Sequence, residues 1–467
     1  MKYVSTRGQA PKLNFEEVLM TGRASDGGLY VPEEFPKLST DEIRAMQGKN
    51  YAEVAFEICR RFTSDVIPAE ELRENIRVAY EQFDHAAVVP LKQLSANGFL
   101  LELFHGPTLA FKDVAMQLIA RLMDRAMARG HSRVIVLAAT SGDTGGAAVE
   151  AFKHNRQVDL FVLYPHGKVS DVQRRQMTTV QEKSVHNIAF QGTFDDCQAI
   201  VKTLFADTEF RTQLDRRNQK LSGVNSINWG RIMAQIVYYF YAGLTLGAPD
   251  RAISFTVPTG NFGNIFAALV AKRMGLPIDK LVIATNSNDI LDRTLKTGRY
   301  EVTGVHPTSS PSMDIQVSSN FERLVYLANN GDSLAVCNAM NSLKQAKSFT
   351  LTSNALESIR SEFSSGSASD EETQRMMNDT FKATGELVDP HTAVGLHVAM
   401  QHHTKSPMVV LATAHPAKFP DAVRAATGET AHLPLQLQHL MTAPESFTIL
   451  PNSAQAVKDF ILSHEGR

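Results

Sequence analysis

The stretch RVIVLAATSGDTGGAA (Arg133–Ala148) opens on a run of apolar, partly β-branched residues and passes directly into small and hydroxylated ones. Its first half reads as a buried strand over Arg133–Ala139, and its second as a turn that runs into a helix. A turn of that kind presents backbone N–H groups at a helix N-terminus, and Ser141 and Thr144 add hydroxyl donors. Ser141, Gly142, Asp143 and Thr144 therefore form a candidate site for a carboxylate or a phosphate. An ordinary strand-to-helix turn has the same composition, so this segment needs company before it carries chemistry.

Working outward, the same texture repeats. Apolar runs at Asp159–Tyr164, Ala252–Val257, Leu281–Thr285 and Met408–Ala412 alternate with helical patterns, such as the stripe Val114, Leu118 and Leu122. That alternation predicts βα units and a mostly parallel sheet, in which ligands bind beyond the carboxyl ends of the strands. Two further strand ends stand out. PTGNFGNIFAALVAKRMG (Pro258–Gly275) is again strand, glycine-rich turn and helix; Gly260 and Gly263 permit unusual backbone angles, and Asn261 and Asn264 can cap the helix or offer amides. In LATAHPAKF (Leu411–Phe419), Thr413 and His415 leave a strand. Neither glycine-rich turn has the G-x-G-x-x-G spacing of a dinucleotide site, and no G-K-[ST] occurs. Two anion-binding turns without a nucleotide signature point to a small phosphorylated cofactor and an anionic substrate.

Phe104–Gln117 (FHGPTLAFKDVAMQ) supplies a nucleophile. Lys112 stands between Phe111 and Asp113, where a His-Gly-Pro turn gives way to a helix. Apolar neighbours and the positive end of a helix dipole both disfavour the ammonium form, and Schiff-base chemistry needs the free amine.

The remaining chain sets limits. Residues 1–97 read as helices and turns around SDGGLYVPEEFP (Ser25–Pro36), a turn, a short strand and a stop, and form a cap on the rest. The oily run near Ile232–Ala248 is too short and too rich in Tyr to span a membrane, and reads as a core helix. Phe363–Glu372 (FSSGSASDEE) reads as a mobile polar loop. The chain has 467 residues, with 47 Lys plus Arg against 49 Asp plus Glu, a balance without the basic surplus of a nucleic-acid protein. Three scattered cysteines build neither a disulfide framework nor a zinc site, and MKYVSTRGQAPKLNF lacks the apolar core of a signal peptide, so the expected location is cytoplasmic. His397, His402 and His403 have no carboxylate at ligand spacing, so no metal is expected. Asp314 either shapes a pocket or caps a helix starting near Ser319, and Trp229 reads as core.

Lys112 with the downstream glycine-rich turns resembles the fold type II pyridoxal-phosphate enzymes. HGPTLAFKD, TSGDTG, YPHGKVS (Tyr164–Ser170), NSINWGR (Asn225–Arg231), GNFGN, SMDIQVSSNFER (Ser312–Arg323), TAHPAKF and SDGGLYVP, in this order apart from the last, resemble the threonine synthase family across residues 3–430. The resemblance implies an α/β fold of two interleaved, open, twisted, mostly parallel sheets flanked by helices, with the N-terminal region as a mainly helical cap. Residues 98–467 would form the catalytic region, with a smaller domain at about 113–190 and a larger one at about 98–112 and 191–467. Pyridoxal 5'-phosphate would be held by Lys112 as an internal aldimine, with Gly260, Asn261, Phe262, Gly263 and Asn264 around its phosphate and Thr413 at its ring nitrogen. Ser141, Gly142, Asp143 and Thr144 would receive the substrate carboxylate, and Lys168 and Arg231 its phosphate. The implied activity converts O-phospho-L-homoserine and water to L-threonine and phosphate by γ-elimination and β-addition, in a monomer or homodimer. A phospho-lyase and other fold type II dehydratases are the alternatives; the dehydratases carry SxGNxG-like loops where this chain has SGDTG.

Overall fold

Parallel pairing follows the βα alternation of the sequence in a computed structural model that describes residues 1–129 and 133–464. Among the described residues the larger sheet has the strand order Phe363–Ser367, Ile278–Thr285, Ile253–Pro258, Met408–Ala412, Gly98–Glu102, Leu91–Gln93. Its neighbours are parallel except for the last pair, a hairpin. The smaller sheet is parallel throughout, in the order Thr448–Leu450, Val185–Phe190, Val158–Pro165, Arg133–Ala139, Gln219–Ser222. Val158–Pro165 and Ile253–Pro258 are buried at every position, as strands covered on both faces must be.

The chain moves between the sheets through long helices. Lys112–Ala128 leads from the larger sheet to the smaller one, and Trp229–Thr245 leads back. Trp229–Thr245 is buried along most of its length, as its composition predicts, and no described helix is long and apolar enough to cross a membrane. Gln219–Ser222 and Thr448–Leu450 join the smaller sheet although they fall outside 113–190, and Leu91–Gln93 pairs with Gly98–Glu102 across the 97/98 boundary. These strands are too short to show a period, so only pairing reveals them. The division we propose therefore takes Gln219–Ser222 and Thr448–Leu450 into the smaller domain.

The N-terminal region shares its core with the rest. Trp229 is fully buried against Tyr3, Phe35 and Phe62, with ring centroids 5.9, 6.4 and 6.0 Å away. Tyr30–Pro32 pairs antiparallel with Tyr3–Ser5, and the Asp26 carboxylate organises the preceding turn by accepting from Ser5 Oγ and the Gly28, Gln9 and Ala10 amides.

One segment departs from its sequence reading. Phe363–Glu372 is not a loop. Phe363–Ser367 is an edge strand against Leu281–Thr285, and Ser369 forms a capping box with Glu372 on the helix Asp370–Thr384. Its small residues serve packing, because a Cβ on Gly366 would lie 2.9 Å from Val398 Cγ1. An edge strand needs backbone donors and acceptors, not apolar side chains, so its polar composition misleads.

Candidate active site

The helix start at Asp143 and the loop at Ser312 meet the helix start at Lys112. The amine begins the helix Lys112–Ala128, is 8% exposed, and lies 3.0 Å from Asp143 Oδ2 and 3.4 Å from Ser312 Oγ. Burial lowers its proton affinity; Asp143 opposes this, while Lys418 and Arg231 add to it. The sequence therefore anticipated the direction correctly, but burial and nearby cations carry the effect.

Asp143 sits at the start of the helix Asp143–Phe152. Its Oδ1 accepts from Lys418 Nζ at 2.8 Å and Gln173 Nε2 at 2.9 Å. Burial pushes this carboxyl up, and the Lys112 and Lys418 charges override it, holding it well below the usual carboxylate range. Gly142 makes room for the arrangement: its φ is +131°, and a Cβ there would fall 2.4 Å from Gln173 Cδ. The turn is closed by Thr140 Oγ1, which accepts from the Gly142 and Gly145 amides, so the half-buried Ser141 and Thr144 are not spent on capping.

The turn Gly260–Asn264 is braced from outside. Ser318 Oγ donates to the Gly260 carbonyl, and Asn320 donates to the Asn261 carbonyl through both its amide and its side chain. Phe262 adopts a left-handed conformation, and the helix Gly263–Arg273 has no side-chain cap. The capping expected of Asn261 and Asn264 is absent: Asn261 Oδ1 accepts from Ser319 Oγ, and Asn264 Oδ1 from Tyr238 and Tyr239. Buried Asn264 Nδ2 has no partner among the described residues, so an uncapped helix start and an unused amide donor are both suited to an anion.

Thr413 is buried, accepts from the Phe111 amide at 2.9 Å through its carbonyl, and carries no side-chain hydrogen bond to the described residues. Arg231 is 3% exposed; among the described residues its guanidinium donates only to the Val224 carbonyl and leaves Nε unpaired. Burial pulls its pKa down to about 10. A buried guanidinium with spare donors is suited to an anion. Lys168 is different: it is exposed in the loop after Val158–Pro165, where its charge acts on Asp196. The structure does not bring it to Lys112.

Asp314 neither caps a helix nor meets Lys112. It accepts from Asn286, Asn288 and Thr308, and the next helix begins at Phe321. Sequence reasoning missed Lys418, Gln173, Ser312 and His391. The Ser312 amide donates to His391 Nε2, whose Nδ1 pairs with Asp389 Oδ2 at 2.6 Å. Lys418 falls inside TAHPAKF, and its apolar company in HPAKF is the one signal of its burial in the sequence.

Comparisons with known proteins fall on this geometry. Residues 2–80 match the family model described as threonine synthase N terminus, 85–349 that of pyridoxal-phosphate dependent enzymes, and 392–461 that of threonine synthase, C-terminal. The chain is 48% identical to a threonine synthase of Pseudomonas aeruginosa over 470 residues, covering 100% of this chain and 99% of that one. A crystal structure of a PLP-bound threonine synthase from Brucella melitensis is similar with TM-score 0.95 and 55% identity, covering 99% of both chains. Threonine synthase from Escherichia coli is similar with TM-score 0.84 and 31% identity over 100% of both chains.

Proposed function

The chain belongs to the threonine synthases, within the pyridoxal-phosphate-dependent enzymes, and from that premise we propose that it turns O-phospho-L-homoserine and water into L-threonine and phosphate. The observation that carries the substrate assignment is buried Arg231, whose guanidinium meets no carboxylate among the described residues and whose charge helps lower the proton affinity of Lys112. A buried guanidinium with spare donors near an amine suits an anionic group of the substrate.

The residues present fit pyridoxal phosphate. Lys112 offers the amine, the uncapped helix start at Gly263 with Asn264 Nδ2 suits the phosphate, and the Thr413 hydroxyl suits the ring nitrogen. When bound, the cofactor supplies an aldehyde for amine exchange and a ring that delocalises electrons left at carbon when a proton departs. A hydroxyl at the ring nitrogen cannot keep it protonated as a carboxylate would.

The chain's own groups would do the rest. Lys112 Nζ, once free, takes the proton from the substrate Cα and is placed to serve the proton changes at Cβ and Cγ. The Ser141 and Thr144 hydroxyls, left free by the Thr140 turn, receive the substrate carboxylate, while the Asp143 carboxylate of the same segment is held by Lys112, Lys418 and Gln173. Arg231 holds the phosphate that leaves Cγ, before water attacks Cβ. Burial of Lys112, Asp143 and Arg231 between the sheets limits water at the stage when early hydrolysis would waste the substrate. We take the enzyme to be a cytoplasmic monomer or homodimer without nucleic-acid or membrane partners.

Incubating the holoenzyme with O-phosphohomoserine tests the reading. Threonine plus phosphate supports it, 2-oxobutyrate plus phosphate marks a phospho-lyase instead, and no phosphate release overturns both. Lys112→Ala should lose the absorbance of the lysine-bound cofactor and all turnover.

A further inference from the structure

Lys418 has no part in the reaction above, yet the fold buries it completely. It ends the short turn Pro416–Lys418 that follows the strand Met408–Ala412. Its side chain is 0% exposed; Nζ lies 2.8 Å from Asp143 Oδ1 and donates to the Thr108 carbonyl at 2.7 Å. Thr108 is itself held by Asp113 and Gln176, so the ammonium has a fixed seat. A buried charge is costly, and a purely structural tie between the sheets could be made more cheaply by apolar packing.

We propose that Lys418 is a positioning residue that holds one oxygen of Asp143, so that the carboxylate meets Lys112 as half of a neutral pair and not as a free anion. The geometry divides the work. Oδ1 is taken by Lys418 and Gln173, which leaves Oδ2 for the Lys112 amine and Ser312 Oγ. An uncompensated carboxylate 3.0 Å from Lys112 would fix it as the ammonium, useless for attacking an aldehyde or taking a proton. With Lys418 behind it, the same carboxylate still orients the amine, but its net field at Lys112 is small. Arg231, from the helix Trp229–Thr245, adds a second cation on the Lys112 side. The other titratable groups nearby make their hydrogen bonds elsewhere, although the Asp113 carboxyl also feels the Lys418 charge. Asp113 is bonded to Thr108, His391 to Asp389 and the Ser312 amide, and Tyr238 to Asn264.

This inference rests on Lys112 as the cofactor anchor, and its test separates the two. The rate at which apoenzyme captures pyridoxal phosphate, followed by absorbance against pH, reports the fraction of free amine. Wild type should reach its midpoint below the ordinary lysine value of about 10.4. Lys418→Met should move that midpoint up by at least about one pH unit, a tenfold slower capture at any fixed pH beneath it. The double variant Lys418→Met/Asp143→Asn should bring it back, because it removes the stranded carboxylate. A folded Lys418→Met protein with the wild-type midpoint overturns the inference, as does a shift that survives in the double variant. Should Lys418→Met not fold, Asp143→Asn alone decides: its midpoint should fall, since Lys112 then faces Lys418 and Arg231 without a counter-charge, and an unmoved midpoint refutes the pairing. Failure of wild type to capture the cofactor strikes the function proposed above, not the role of Lys418.

Discussion

Arg231 and Asp113 show what individual residues near Lys112 must tolerate. Arg231 is buried without an acid partner among the described residues, which makes sense if an anion arrives with the substrate. Arg231→Gln should keep the cofactor absorbance and lose about a hundredfold or more in kcat/KM, since a buried charge-assisted contact to a phosphate is removed. Equal kcat/KM in the two proteins would remove Arg231 from the site. Asp113 works the other way. Burial raises its pKa from 3.8 to about 6, although Thr108 and Lys418 pull it down. Because the folded value lies above the unfolded one, its contribution to stability is full below about pH 4 and is lost as pH rises through about 6. Relative to Asp113→Asn, wild type should lose roughly 3 kcal/mol between pH 4 and pH 7, measurable by urea unfolding at each pH. A flat difference would show that the carboxyl titrates normally.

At the scale of elements, the site depends on turns that leave helix starts open. Thr140 closes the turn before Asp143–Phe152, so the side chains of Ser141 and Thr144 stay available. The helix Gly263–Arg273 is left uncapped because Asn261 and Asn264 bond to Ser319 and to two tyrosines. Sequence could place asparagines at this turn, but their partners lie on the helix Trp229–Thr245 and in the Ser318–Asn320 segment, which no local pattern reveals. Gly260 marks the closest approach: a Cβ there would lie 2.7 Å from the Ser312 carbonyl oxygen, a backbone atom that cannot rotate away. Gly260→Ala should therefore part the glycine-rich turn from the Ser312 loop, costing about 1–3 kcal/mol in stability. It should also weaken pyridoxal phosphate uptake at least about tenfold, if the turn holds its phosphate. Equilibrium dialysis of the variant checks this, and unaltered uptake would discard the assignment.

At the scale of the whole molecule, motifs scattered along the chain meet at one guanidinium. Arg323 is fully buried and donates to the Tyr30 and Ile227 carbonyls and to Asn320 Oδ1. SDGGLYVP, NSINWGR and SMDIQVSSNFER are thereby tied together, and Asn320 passes the constraint to the Asn261 carbonyl. Burial lowers the Arg323 pKa to about 9. Arg323→Met should lower the urea midpoint by the equivalent of about 2–4 kcal/mol, because buried carbonyls lose charge-assisted partners. It should also loosen cofactor binding from a distance; a variant as stable as wild type would show these bonds to be replaceable. Periodicity alone determined the parallel α/β architecture, because strands buried on both faces must be continuous apolar runs, and motif resemblance named the family and Lys112. The pairing of Gln219–Ser222, Leu91–Gln93, Phe363–Ser367 and Thr448–Leu450 was decided by tertiary structure, since short strands get their identity from neighbours and not from their own composition. The same holds for Lys418 and Arg231. A lysine or arginine reads as surface charge in a sequence, and only the packing of two sheets around Asp143 and Lys112 shows that these two are enclosed, because burial is a property of the fold and not of the residue.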